Sequence, residues 1–195
     1  MGVGAAPAVF YYDFNSPYAY LAAERIDDLI PGAEWRPIAF AILLAGLGRL
    51  ERVLEGLDPG PVANEIAGRA GGRRLPPFAP PEGGHSRHGC SPRCVPVAAQ
   101  RGKLHEFSSA AYRKSFVESR SLADLDNALA AARDVGLEPD EVRKGIERRA
   151  IKDRLKRNTE QARARGLTGI PTVAVGDELF WGDDRLEEVA AAVRH

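Results

Sequence analysis

An α/β fold is predicted for this chain of 195 residues. Three features predict it: strand-like runs close to both ends, a long middle with helical apolar spacing, and prolines and glycines placed where helices start and stop. The first run, Ala8-Val9-Phe10-Tyr11-Tyr12, is apolar and β-prone. It passes through Asp13-Phe14-Asn15-Ser16-Pro17-Tyr18-Ala19-Tyr20 into an apolar-periodic segment beginning at Leu21, so a strand, a tight turn and a helix start follow one another within about twenty residues. Glu34-Trp35-Arg36-Pro37-Ile38 reads as a second strand. Residues 40–57, 104–118, 122–135, 139–148 and 150–165 have helical spacing. Gly136 and Gly166 sit where helices end, and Pro139 where one begins.

The C-terminal part returns to β. Gly169-Ile170-Pro171-Thr172 runs into a β-rich stretch, and Pro171 is a candidate for a cis peptide bond. A proline here also withholds a ladder donor, which leaves backbone groups of Ile170 open to another partner. Asp177 and Glu178 are expected to form a hairpin turn, with Leu179-Phe180-Trp181 as the return strand. Asp184 and Glu187 stand at capping-box spacing before a last helix, so capping is the ordinary role for Asp183 and Asp184. Eight of the fourteen prolines lie between Pro59 and Pro96, with many glycines, and this stretch reads as a loop or flap.

Lys+Arg and Asp+Glu are both 27, so no broad basic field is offered to nucleic acid. No apolar run reaches membrane-spanning length. The first residues lack the basic segment of a secretory signal, which predicts a cytoplasmic protein. At this length one domain, with or without a helical insertion, can bury a proper core.

Ser16 has two readings. Serine before proline is an ordinary helix cap. A hydroxyl at the start of a helix also sits where an anion, thiolate included, is favoured. The pairing of the segment at residues 13–20 with Gly169-Ile170-Pro171-Thr172 and Leu179-Phe180-Trp181-Gly182-Asp183-Asp184-Arg185, about 150 residues on, resembles the 2-hydroxychromene-2-carboxylate isomerases and kappa-class glutathione transferases. These belong to the DsbA-like branch of the thioredoxin superfamily. The resemblance spans nearly the whole chain. It implies a thioredoxin-like part at about residues 7–40 and 166–195 of a single chain, with an all-helical insertion at about 41–165.

The same resemblance carries a chemical implication. Where DsbA-like oxidoreductases have Cys-x-x-Cys, this chain has Ser16-Pro17-Tyr18-Ala19. Thiol–disulfide exchange needs an attacking thiolate and a resolving partner, so none is expected at this site. The family instead receives the thiolate of glutathione, to which the serine hydroxyl donates. Implied here are Ser16 as the catalytic donor and Asn15, Pro17, Tyr18, Ile170, Pro171, Asp183 and Asp184 around the cofactor. Asp184 would take the γ-glutamyl amino group. The implied activity is isomerisation of a small aromatic or conjugated carbonyl substrate without a metal, in a protein expected to form a homodimer.

Several residues depart from the family pattern. Arg49 replaces an asparagine that helps to hold glutathione, and Thr168 replaces an aromatic residue. Arg49 and Trp181 are candidate substrate contacts. Arginine outnumbers lysine 22 to 5, a bias of GC-rich coding, and some organisms of that kind use another low-molecular-weight thiol in place of glutathione. His85, His88, Cys90 and Cys94 cluster within ten residues. Zinc prefers these ligands, but the spacing is not that of a standard finger, and no metal is expected. The alternatives are a kappa-like transferase and a non-redox DsbA-like binding protein that uses this His/Cys loop for a metal or a partner.

Overall fold

The computed structural model describes residues 7–56, 58–81, 91–146 and 149–194. The chain runs β1 (Ala8–Tyr12), α1 (Pro17–Ala23), α2 (Ile26–Leu29), β2 (Glu34–Pro37), α3 (Phe40–Gly46) and α4 (Leu50–Glu55). It continues through α5 (Pro59–Gly72), α6 (Ser91–Gln100), α7 (Leu104–Phe116), α8 (Leu125–Asp134), α9 (Pro139–Ile146) and α10 (Arg149–Ala164). It closes with β3 (Thr172–Val175), β4 (Glu178–Trp181), a 3-10 turn (Asp183–Arg185) and α11 (Leu186–Val193). The four strands form one mixed sheet in the order β2-β1-β3-β4, the α/β architecture expected. None of the described helices is long and apolar enough to cross a membrane.

β1 is the hub because both of its faces are buried, which is why its sequence is a continuous apolar run rather than an alternation. Phe10 and Tyr12 face one core with α1, α7, α8 and α11 residues, and Val9 and Tyr11 face a second core with Leu43, Ala162 and Leu167. Phe10, Tyr12, Phe14, Trp35 and Tyr112 stack edge-to-face or tilted at centroid distances of 5.0–6.0 Å. The two tyrosine hydroxyls are satisfied, whereas Trp35 Nε1 is buried without a hydrogen-bond partner among the described residues. Ser108 donates to Leu104 O at 2.7 Å, so the Tyr12 hydroxyl is the donor in its 2.7 Å bond to Ser108 Oγ. Tyr112 donates to Asp13 O at 3.1 Å. These bonds fasten the sheet to the helical layer at the end of β1.

Four sequence expectations need correction. The described part of the stretch at 40–57 forms two helices, because Gly48 turns the chain at φ +64° between α3 and α4; residue 57 lies outside the described residues. The proline-rich stretch is not a loop throughout. Asp58 caps α5 by accepting from Gly60 N–H at 3.0 Å, Pro59 occupies the first turn, and Ile66 and Ala70 bury the inner face. The hairpin turn is Gly176-Asp177, since Gly176 supplies the φ of +56° that a two-residue hairpin demands, and Glu178 already pairs with Val175 in β4. No capping box forms at Asp184 and Glu187. The 3-10 turn moves the helix start to Leu186, and Glu187 pairs with Arg25 instead. The expected C-terminal glycines Gly136 and Gly166 both have positive φ, and α9 begins at Pro139 as expected.

Burial pushes the Tyr12 and Tyr112 phenols above the ordinary tyrosine range and Tyr20 up to about 12. In the unfolded chain these groups ionise near pH ~10. The stability they contribute is therefore present below that pH and is lost as pH rises through the folded values. Absorbance at ~295 nm, followed against near-UV circular dichroism, should show their tyrosinate appearing only as tertiary structure is lost. Ionisation of all three at the ordinary pH in the folded protein would contradict this packing.

Candidate functional site at the end of the central strand

Because β2 runs parallel to β1 and β3 antiparallel, the C-terminal end of β1 meets the exit of β2 and the entrance of β3. Tyr11 pairs with Thr172, so the preceding Ile170–Pro171 bond, which is cis, lies at the same end of the sheet as the Ser16 turn. Pro171 O accepts from Gly182 N–H at 2.9 Å, which draws the Asp183–Arg185 turn to the same end. That turn packs against α1. The structure thus gathers Ser16, Ile170, Pro171, Asp183 and Asp184 from widely separated parts of the chain.

Ser16 is the N-cap of α1, and its Oγ accepts from Ala19 N–H at 3.2 Å. The ordinary helix-cap role is thus present. It uses a lone pair and leaves the hydroxyl hydrogen available, because a serine hydroxyl has one donor and two acceptor sites. Among the described residues no acceptor takes that hydrogen. The side chain is 9% exposed. Likewise, the N–H and carbonyl of Ile170 have no partner among the described residues.

Sequence reasoning did not single out Asp13, yet it organises the turn. Its side chain is buried, Oδ1 accepts from Asn15 N–H at 2.9 Å and Asn15 Nδ2 at 3.0 Å, and Oδ2 accepts from Phe40 N–H at 2.8 Å. Its carbonyl accepts from Ser16 N–H at 3.0 Å. Desolvation pushes the Asp13 carboxyl up, and the three N–H donors work against that shift. The Asn15 amide is thus turned towards Asp13.

Tyr18 donates to Glu65 on α5 at 2.8 Å. Burial and this donation hold its phenol above the ordinary range. Arg69 lies over the Tyr18 ring and bridges Glu65 and Asp183, the latter at 2.6 Å, and Arg73 also pairs with Asp183. Asp183 is only 1% exposed, so its carboxylate is committed to these two guanidinium groups, whereas Asp184 is exposed. The signal for this clasp was the spacing of Glu65, Arg69 and Arg73 at every fourth position. The prolines and glycines of the stretch mask that signal, because they favour a loop.

Arg49 and Thr168, the two departures from the family pattern, are joined: Arg49 Nη1 donates to Thr168 O at 3.3 Å. Arg49 therefore supports the loop leading to Ile170. Trp181 is 54% exposed and lies on the backbone of Gly169, where an added Cβ would collide with the indole. His85, His88 and Cys90 lie outside the described residues. Cys94 is buried in the main core, and no group of three metal-ligating side chains occurs among the described residues. A cavity of about 350 Å³ opens between β2 and the helices α6 and α10, lined in part by Trp35, Val95, Leu155 and Asn158, and none of the expected site residues borders it.

Two substitutions test these contacts. Asp183→Asn removes the anion of Arg73 and one of the two anions of Arg69, and should lower stability by about 2 kcal/mol in urea unfolding; a loss within about 0.5 kcal/mol, the range of an ordinary surface change, would contradict the clasp. Gly169→Ala should displace the Trp181 ring, giving red-shifted emission and faster acrylamide quenching with the fold retained. Unchanged emission would contradict the contact.

The chain resembles known proteins along almost its whole length. It is 27% identical over 190 residues to a 2-hydroxychromene-2-carboxylate isomerase of Sphingobium xenophagum, covering 91% of this chain and 93% of that protein. A solved 2-hydroxychromene-2-carboxylate isomerase superposes with a TM-score of 0.80 at 20% identity, covering 96% of this chain and 94% of the other. A probable DsbA oxidoreductase from Streptomyces coelicolor follows at TM-score 0.70 and 19% identity, covering 97% and 90%. The DSBA-like thioredoxin domain model matches residues 91–194, just over half of the chain. With a mixed four-stranded sheet and helices inserted between β2 and β3, the chain belongs to the DSBA-like thioredoxin domain family.

Proposed function

We propose that the protein is a thiol-dependent isomerase of the 2-hydroxychromene-2-carboxylate isomerase type, acting on a small aromatic or conjugated carbonyl compound. The observation that carries this reading is the Ser16 hydroxyl: its lone pair caps α1, and its hydrogen has no acceptor among the described residues. The chain has serine and alanine, not cysteine, at the two positions of the family's redox pair, so in this reading the sulfur is supplied by a guest.

The residues present fit a guest thiol such as glutathione. Ser16 donates to the sulfur and favours its anionic form. The N–H and carbonyl of Ile170, without a partner among the described residues, offer main-chain pairing to the cysteinyl unit. Asp184, exposed and not engaged in a cap, takes a cationic amino group. Asp183 serves indirectly, since its carboxylate already holds Arg69 and Arg73. Trp181 gives a flat apolar surface beside Gly169 for an aromatic ring. When bound, the thiol supplies a nucleophile that adds reversibly to a conjugated double bond, which permits rotation before the sulfur leaves.

The test is a titration of glutathione bound to wild type and to Ser16→Ala, read by thiolate absorbance. A free thiol has a pKa of about 8.5; wild type should lower it, and Ser16→Ala should restore it. Losing one hydrogen bond to a charged sulfur should cost about tenfold to a hundredfold in turnover. Failure of the wild type to bind glutathione would remove that thiol from the reading. An unchanged thiol pKa in the variant would remove Ser16, and net consumption of thiol during turnover would favour a transferase.

A further inference from the structure

We infer that Asp13 is the positioning residue of the Ser16 centre, its buried carboxylate fixing the Ser16 turn to the start of α3. The inference rests on the proposed thiol-binding role of Ser16 for its functional meaning, while its geometry stands independently.

The two carboxylate oxygens serve different pieces of chain. Oδ1 takes the backbone N–H and one side-chain amide hydrogen of Asn15, the residue before Ser16, and Oδ2 takes the N–H of Phe40, the first residue of α3. The Asp13 carbonyl meanwhile holds Ser16 N–H and receives the Tyr112 hydroxyl from α7. Five hydrogen bonds at one residue thus connect the turn, the exit of β2 and the helical layer. Phe40 follows β2 by way of Ile38, whose N–H donates to Tyr12 O at 2.9 Å, so the segment of residues 38–40 runs along one side of the Ser16 turn. Ile170 and Pro171 flank the other side through the β1–β3 pairing. Asp13 does not touch a guest sulfur in this account. It sets where the Ser16 hydroxyl stands relative to the residues on either side.

A carboxylate is the side chain that can do this. The three donors at Asp13 need acceptors in two directions, and a carboxylate has no hydrogen of its own to oppose them. Asparagine offers one oxygen, and its NH₂ would face an N–H on the other side. Asp13→Asn therefore keeps the size and opens one of the two links.

Its charge permits a discriminating experiment. Removing a negative charge near a thiolate lowers the thiol pKa, whereas loosening the Ser16 donor raises it. In Asp13→Asn the pKa of bound glutathione should rise by about half a unit or more towards the free value. The amides of Asn15, Ser16 and Phe40 should exchange at least about tenfold faster, while those of Val173 and Ala174 on β3 keep their protection. A fall in the thiol pKa would show that Asp13 acts through its charge, and no change in a folded variant would show a purely structural role; either result overturns the inference. Should Asp13→Asn not fold, Asn15→Ala deletes one of the three donors and should give a smaller rise, with an unchanged pKa overturning the inference. If wild type leaves the pKa of glutathione unaltered, the Ser16 reading fails. The amide exchange then decides the positioning role alone: undiminished protection at residues 15, 16 and 40 overturns it.

Discussion

Everything at the candidate site depends on how β1 is paired. A strand with a parallel neighbour on one side and an antiparallel neighbour on the other gathers three different chain segments at its C-terminal end: its own continuation, the continuation of β2, and the residues leading into β3. Phe14 to Ser16, residues 38–40 and residues 169–171 meet there although they come from opposite ends of the sequence. Burial of both faces of β1 fixes the register, because a one-residue slip would exchange the residues of the two cores. The site is thus located by core packing rather than by any local motif.

Polar groups then refine what the packing locates. The end of β1 carries a buried carboxylate whose donors are all supplied by nearby chain, and buried charge is tolerated when its hydrogen-bonding capacity is met. A second buried carboxylate, Asp183, joins α5 of the insertion to the turn before α11 through Arg69 and Arg73. One carboxylate therefore ties together the floor of the site, and the other ties its wall to the helical insertion. In both cases an aspartate near the site acts through its neighbours rather than towards solvent. Asp184, one residue on, is the exposed one.

The strands, the Ser16 turn and the proline before β3 were legible in the sequence because each has a local signature: a continuous apolar run, a capping dipeptide, or an X-Pro step into a β-rich stretch. Asp13 and the Asp183 clasp were not. Nothing in the letters distinguishes a buried aspartate from a capping one, since the difference lies in partners 27 and 114 positions away. The proline and glycine content of residues 59–72 concealed a helix because both prolines fall in its first turn, where a missing N–H costs little. The hydrogen bond between Arg49 and Thr168 likewise crosses 119 positions, so two separate departures from a family pattern could not be seen as one contact.

A high-resolution structure of the protein with glutathione bound tests the central claim most directly. The account predicts the sulfur within about 3.5 Å of Ser16 Oγ, with the cysteinyl main chain paired to Ile170. A thiol lodged elsewhere, such as the cavity beside Trp35, or a sulfur turned away from Ser16 would contradict it.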